Sequence, residues 1–171
     1  MEPIAQYEIP FLHPLVVHFP FVMLLLGFGA ALAYLVFGRA VWRRAGLVLF
    51  AMGTLGAWVA AETGQDLYRA VQGDAVVDSV VRYHQFGAEW TMAMGALASV
   101  VFVVVSLARI RVRFRRRAPE AEGEEPLPPP PAPRREPLWG RLLAVLPAGA
   151  AAAAVAYTAH LGGVMVWGVP R

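Results

Sequence analysis

Four histidines are the residues of this chain with the clearest capacity for chemistry. His13 and His18 lie near the start of the sequence, His84 near its middle and His160 near its end. Imidazole is the commonest metal ligand in proteins and a usual axial ligand of haem iron. If the apolar segments cross a bilayer, all four histidines reach the same membrane face. An ionisable side chain at the end of a membrane segment is by default a candidate functional residue.

The composition indicates the structural class of the protein that carries these histidines. Apolar residues make up 58% of the chain and charged residues only 16%, with a mean hydropathy of +0.53, which is typical of an integral membrane protein. The chain has no cysteine, which excludes disulfides, iron–sulfur clusters, covalently attached haem and thiolate zinc sites. A bound metal must therefore rest on imidazole, carboxylate, thioether or phenol groups.

Four apolar stretches are long enough to cross the hydrocarbon core of a bilayer, which takes roughly 20 helical residues. They cover about residues 14–37, 41–61, 86–107 and 138–160. We therefore expect an all-α protein in which residues 1–171 form a single transmembrane domain, an integral membrane four-helix up-down bundle. Residues 62–85 are expected to form an outer-face loop with a short interfacial helix. Residues 109–137, rich in Arg and Pro, are expected to be a cytoplasmic linker.

The distribution of arginine predicts the orientation of this bundle. All 15 basic residues are Arg, and only Arg69, Arg82 and Arg171 lie on the face that carries the histidines. The other face, which holds the 38–40 turn and the 109–137 linker, carries the remaining arginines. The positive-inside rule places that face in the cytoplasm. Both termini and all four histidines are then expected on the outer, periplasmic face.

Other polar side chains accompany the histidines on the expected outer face. Candidates for hydrogen bonds to imidazole N–H groups, which fix the orientation of a ligand ring, are Glu62, Asp66, Tyr83, Glu89 and Tyr157. Arg69 and Arg82 are candidate partners for haem propionates, because the guanidinium group binds carboxylates through two parallel hydrogen bonds. The sequence thus predicts a polar cluster around the histidines.

The segment HPLVVHFP, residues 13–20, leaves two local conformations open. Pro20 inside a helix removes a hydrogen bond and collides with a preceding carbonyl, so the helix is either kinked there or begins near Pro20. In a regular helix the five-residue spacing separates His13 and His18 by about 140° around the axis, and one face cannot then turn both toward one ion. In a bent entry segment both can point inward.

The motifs of this chain resemble those of the DUF2231 family. They are HPLVVHFP at residues 13–20, TGQD at 63–66, the histidine that opens the third apolar stretch and HLGG at 160–163. The resemblance covers nearly the whole chain and implies a four-helix protein of the bacterial inner membrane, in a family often linked with cytochrome-c-type domains. Family members commonly continue the last motif with a tyrosine and a further His-Gly pair, whereas this chain reads HLGGVMVWGVPR.

The leading hypothesis is a haem b protein that moves electrons between the quinone pool and a periplasmic cytochrome or a partner subunit of a respiratory complex. One or two haems would be held by paired imidazoles. His18 and His84 are the first choice of axial ligands because each lies near the apolar boundary of its span, with His13 and His160 as the second pair. An electron-transfer role is favoured over a stand-alone enzyme, since no hydrolase or metalloprotease motif is present.

Two alternatives remain open at this point. The four histidines, with Glu62, Asp66 or Glu89, are also suited to a non-haem copper, zinc or iron ion. A structural accessory subunit is the other alternative, with the 109–137 linker contacting a partner or anionic lipid. Contact with membrane lipid is expected in each case, a homodimer is compatible with all of them, and nucleic-acid binding is not expected.

Overall fold

The computed structural model of the chain describes residues 13–73, 75–115 and 135–167. These residues form five helices, namely α1 (His13–Val16), α2 (His18–Phe37), α3 (Ala40–Val71), α4 (Ala75–Arg115) and α5 (Leu138–Trp167). Four segments are long and apolar enough to span a membrane: His13–Phe37, Ala40–Arg69, Asp78–Arg111 and Leu138–Met165. The expectation of an all-α, four-helix, multi-pass membrane protein is confirmed.

The four long helices form a closed bundle. Helices α2 and α4 each pack against both α3 and α5, and the short helix α1 lies against α3 and α2. Because the α2–α3 and α3–α4 connections are only a few residues long, successive helices run antiparallel. The bundle therefore has a histidine end, defined by His13, His18, His84 and His160, and an arginine end, defined by Arg39, Arg43, Arg109 and Arg141.

Helices α3 and α4 extend well beyond the apolar stretches from which they were predicted. In place of a loop with a short interfacial helix over 62–85, α3 continues to Val71 and α4 begins at Ala75. Residues such as Glu62 and Asp66 end the apolar stretch but do not end the helix, since an acidic residue costs a helix less than about 1 kcal/mol. The chain reverses at Gln72–Gly73, where Gly73 has a φ of 116°.

The entry to the first membrane span is broken at Val17, between α1 and α2. The helix α2 begins at His18, so Pro20 lies in its first turn. Backbone N–H groups in the first turn have no acceptor within the helix, so the N–H group that proline lacks costs little there. The span therefore has a bent entry segment, and regular helix begins two residues before Pro20.

The expected linker falls only partly within the described residues. Helix α4 continues through its first part to Arg115, and residues 135–137 lead into α5. Residues 116–134, which carry most of the Pro-rich tract, lie outside the described residues. The same holds for residues 1–12 and for Arg171.

The bundle has a narrow core and an apolar exterior. Leu24, Tyr34, Phe50 and Phe102 are fully buried, and the rings of Phe50 and Phe102 stack with centroids 5.9 Å apart. On the outside, large apolar side chains are exposed, including Leu26, Leu55 and Leu146. The surrounding lipid is as apolar as these side chains, so the helices associate through close packing and not through removal of apolar area from water.

Close packing around Gly46 makes this glycine hard to replace. A Cβ atom at Gly46 would lie 2.6 Å from Cζ of Phe102, whereas a Cβ atom at Gly29 would meet nothing within 4 Å. We expect Gly46→Ala to lower the free energy of unfolding by about 1–3 kcal/mol through overpacking. The matched Gly29→Ala change should raise it by about 0.5–1 kcal/mol, because alanine favours the helix.

Thermal unfolding of both glycine variants in one detergent checks this packing prediction. The two unfolding midpoints should move in opposite directions relative to the wild-type protein. Equal shifts would contradict the close contact between α3 and α4 at Phe102.

Candidate functional site

His13 is held against helix α3 by its own imidazole. The Nδ1 atom lies 2.8 Å from the backbone oxygen of Ala60 and 3.3 Å from Oγ1 of Thr63. The ring occupies the space that Gly64 leaves open, since a Cβ atom there would lie 2.9 Å from Cε1 of His13. The TGQD segment therefore provides the surface on which this histidine rests.

His84 is held in the same manner between helices α4 and α5. Its Nδ1 atom lies 2.9 Å from the backbone oxygen of Thr158. One turn further along α5, the position of a Cβ atom at Gly162 would be 3.5 Å from Cε1 of His84. The HLGG motif thus leaves room for the ring of His84, although the histidine of the motif itself points elsewhere.

The structure brings His13 and His84 together. Their ring centroids are 6.4 Å apart and their planes are nearly perpendicular, at 82°. Both side chains are partly buried. A carbonyl oxygen only accepts hydrogen bonds, so each Nδ1 atom donates, and in the neutral form of each ring Nε2 then keeps its lone pair. The pair thus presents two nitrogen donors whose ring orientations are already fixed.

The other two histidines do not join this pair. His18 is exposed, and its Nδ1 atom bonds to the backbone oxygen of Pro14, 2.8 Å away on its own segment. His160 is exposed on α5. The preferred pairing of His18 with His84 is therefore not what the geometry shows, because the break at Val17 directs His13, and not His18, toward α3 and α4.

The acidic and tyrosine side chains expected around the histidines lie on the surface. Glu62, Glu89 and Tyr83 are exposed. Asp66 forms an ion pair with Arg69 at 3.0 Å, and both side chains are about two-thirds exposed, at 69% and 68%. The polar groups that contact the rings of His13 and His84 are two backbone carbonyls and the Thr63 hydroxyl. Residue types alone do not reveal these contacts.

An apolar groove of about 430 Å³ lies between α4 and α5, and its lining begins at Phe86, two residues after His84. Tyr157 belongs to this groove, together with Phe86 and Trp90, whose ring centroids are 6.1 Å apart. Alanines of α5 form its opposite wall. An apolar recess with three aromatic side chains therefore begins two residues beyond His84 along α4.

The histidine pair suits some metal centres better than others. Among the described residues, no three His, Cys, Asp or Glu side chains are grouped to hold one ion. Two imidazoles on opposite sides of one metal have ring centroids about 6 Å apart, given metal–nitrogen bonds of 2.0–2.1 Å. The 6.4 Å between the centroids of His13 and His84 matches this separation, and these are the two residues that would hold such a metal.

A second polar cluster, which the sequence did not reveal, lies at the arginine end. Glu136 accepts hydrogen bonds from the Tyr34 hydroxyl and from Nε of Arg43, the latter at 3.2 Å, and lies 3.6 Å from Nε of Arg109. Arg43 also donates to the Ser106 hydroxyl. The side chains of Arg43 and Glu136 are only 8% and 12% exposed. The cluster therefore connects α2, α3, α4 and the start of α5.

The turn between α2 and α3 completes this cluster. Gly38 ends α2 with a φ of 62°, and its N–H group donates to the oxygen of Tyr34 at 2.8 Å. Its own oxygen accepts from the Glu136 N–H at 3.2 Å. A left-handed glycine at this position therefore permits the segment before α5 to lie directly on the turn.

Sequence comparison agrees with this architecture. The family model described as a predicted membrane protein, DUF2231, matches residues 9–169. No curated protein and no solved structure matches the chain. The matched range includes the histidine pair, the TGQD and HLGG segments and the cluster around Glu136. The chain therefore belongs to the DUF2231 family of predicted membrane proteins.

Proposed function

We propose that this protein binds a redox-active metal centre between Nε2 of His13 and Nε2 of His84, and that the centre is a single haem b. The observation that carries this proposal is the pair itself: two imidazoles with centroids 6.4 Å apart, each with Nδ1 committed to a backbone carbonyl. When bound, a haem supplies one-electron chemistry at a potential set by its ligands and surroundings.

The roles of the protein side chains follow from their contacts. The carbonyl oxygens of Ala60 and Thr158 fix both rings and increase the basicity of the ligating nitrogens. The nearby surface of Phe86, Trp90 and Tyr157 is apolar, which suits a macrocycle. Arg82, exposed two residues before His84, is the better candidate for a propionate, because Arg69 already pairs with Asp66.

The proposed cellular role is electron transfer between the quinone pool and a periplasmic carrier or partner subunit. The excess of arginine at one end of the bundle supports a position in the bacterial inner membrane with the histidine end toward the periplasm. A metal centre at that end lies within reach of a soluble periplasmic partner. The groove that begins two residues after His84 is lined by apolar and aromatic side chains, which suit a quinone.

A copper ion held by the same two nitrogens is the second candidate. It is favoured by the two assembled imidazoles, since imidazole nitrogen suits copper. Copper and haem would both be bound by Nε2 of His13 and Nε2 of His84. They differ in optical spectrum and elemental content, so one preparation separates them.

The test is a dithionite-reduced minus air-oxidised spectrum of the protein, expressed with ample haem and purified in mild detergent. We expect the sharp bands of a low-spin haem and a haem-to-protein ratio near one, since only one histidine pair is assembled. A ratio near two would require His18 and His160 as well. A featureless spectrum with bound copper would favour the ion, and the absence of both would leave a structural subunit.

A further inference from the structure

The arginine end carries more positive charge than its described acidic residue neutralises. Arg43 and Arg109 share the single carboxylate of Glu136. Arg141 donates from Nη1 to the backbone oxygen of Leu35 at 2.6 Å, which is a neutral acceptor. Its buried Nε atom has no acceptor among the described residues. Three guanidinium groups therefore face one carboxylate, and Arg141 has no acidic partner within the described part of the chain.

These groups surround the turn at Gly38. A Cβ atom built on Gly38 would lie 3.3 Å from Nη1 of Arg141, 3.3 Å from the backbone nitrogen of Glu136 and 3.2 Å from Cβ of Arg135. The side chain of Arg109 is 28% exposed, and Arg39 and Arg135 are exposed. An anion approaching from the membrane surface can therefore reach the cluster.

Aromatic side chains mark the depth of this cluster in the membrane. Trp42 is partly exposed and its ring lies near that of Phe37, with centroids 6.5 Å apart. Trp139, two residues before Arg141, is 58% exposed. Tryptophan is enriched at the level of the lipid headgroups. The cluster thus lies at the depth at which lipid phosphates are found.

We propose that the arginine end binds the phosphate of an anionic phospholipid, with Arg141 and Arg109 as its ligands. Guanidinium groups bind phosphate through paired hydrogen bonds, and basic pockets between membrane helices are a known type of headgroup site. Glu136 holds Arg43 in the interior and keeps the cluster assembled. The site is at the opposite end of the bundle from the histidine pair and does not depend on the proposed redox function.

The test is native mass spectrometry of the delipidated full-length protein, titrated with phosphatidylglycerol. Phosphatidylcholine of the same acyl length and inorganic phosphate are titrated in parallel. We expect one tightly bound phosphatidylglycerol per chain, a weaker affinity for phosphatidylcholine, and binding weakened about tenfold in Arg141→Gln. Arg44→Gln is the matched control, because Arg44 is exposed at the same end, and its affinity should change little.

Each other outcome overturns the proposal. Equal losses in the Arg141 and Arg44 variants would indicate diffuse attraction to surface charge and no defined site. Inorganic phosphate binding as tightly as the lipid would make this a site for free anions. Equal affinity of the wild-type protein for both lipids would exclude headgroup selection, and this result does not require any variant to fold. Arg109→Gln provides a second variant if Arg141→Gln does not fold.

Discussion

The His84→Ala protein is expected to be purified with less than about a tenth of the wild-type cofactor content. His84 supplies one of the two nitrogen donors at the histidine end, with Nδ1 held 2.9 Å from the oxygen of Thr158. Loss of an outer hydrogen-bond partner alone typically lowers metal affinity about 10–100-fold. Removal of the ligand itself should have at least that effect. His13→Ala should give the same result, because the pair acts as a unit.

The matched controls are the two exposed histidines at the same end of the bundle. His18→Ala and His160→Ala should retain the wild-type cofactor content, since neither ring contacts the His13–His84 pair in the described structure. The cofactor-to-protein ratio is measured after each variant has passed a check of helix content and monodispersity. Equal losses in all four variants would restore the four-histidine site that the sequence predicts. Unchanged content in all four would make the histidines structural.

The Glu136→Ala protein is expected to lose about 3–5 kcal/mol of unfolding free energy. Glu136 is the single carboxylate that Arg43 contacts in the described structure, and the side chain of Arg43 is only 8% exposed. Removing one partner of a buried ion pair leaves the other charge in a medium of low dielectric constant without compensation. Tyr34, which is fully buried, also loses the acceptor of its hydroxyl group.

Reversible unfolding in mixed micelles, followed by helix content, measures this loss. The matched control is Asp66→Ala, which breaks an ion pair whose side chains are about two-thirds exposed and should cost no more than about 1 kcal/mol. The double change Arg43→Met with Glu136→Leu should cost less than Glu136→Ala alone, because no unpaired charge is left at Arg43. Similar small effects in all three proteins would contradict the buried cluster.

The sequence predicted the membrane class and the number of spans correctly. Apolar stretches of about 20 residues report directly on the hydrocarbon thickness, so four spans could be counted from hydropathy alone. The lengths of the helices were predicted less well than the number of spans. Residues from Glu62 to Val71 continue α3, because hydropathy reports contact with lipid, whereas polar residues and a single glycine such as Gly64 cost a helix only about 1 kcal/mol or less each.

The pairing of the histidines depends on features that the sequence does not show. The sequence named all four histidines as candidate ligands and preferred His18 as the partner of His84, with His13 and His160 as the second pair. The choice between His13 and His18 depends on the break at Val17 and on the open space at Gly64. The hydrogen-bond acceptors are the backbone oxygens of Ala60 and Thr158, and backbone groups have no signature in residue type.

The cluster around Glu136 was also only partly accessible from the sequence. The sequence indicated that Arg43 and Arg109 belong to one end of the bundle. It did not indicate that Arg43 is buried, since a membrane-flanking arginine is ordinarily solvated. One acidic residue just before the fourth span, Glu136, was the available signal. The role of Glu136 depends on its contacts with Tyr34 of α2, Arg43 of α3 and Arg109 of α4.

The sequence by itself determined that this is a membrane protein. Composition and the length of apolar runs decide whether a helix is stable in water or in lipid. It also determined which residues are able to bind metal, since that capacity belongs to the side chain. The tertiary structure alone decided which histidines meet and which arginine is buried. Both outcomes depend on contacts between residues 47–102 positions apart in the chain, and local pattern carries no information about such contacts.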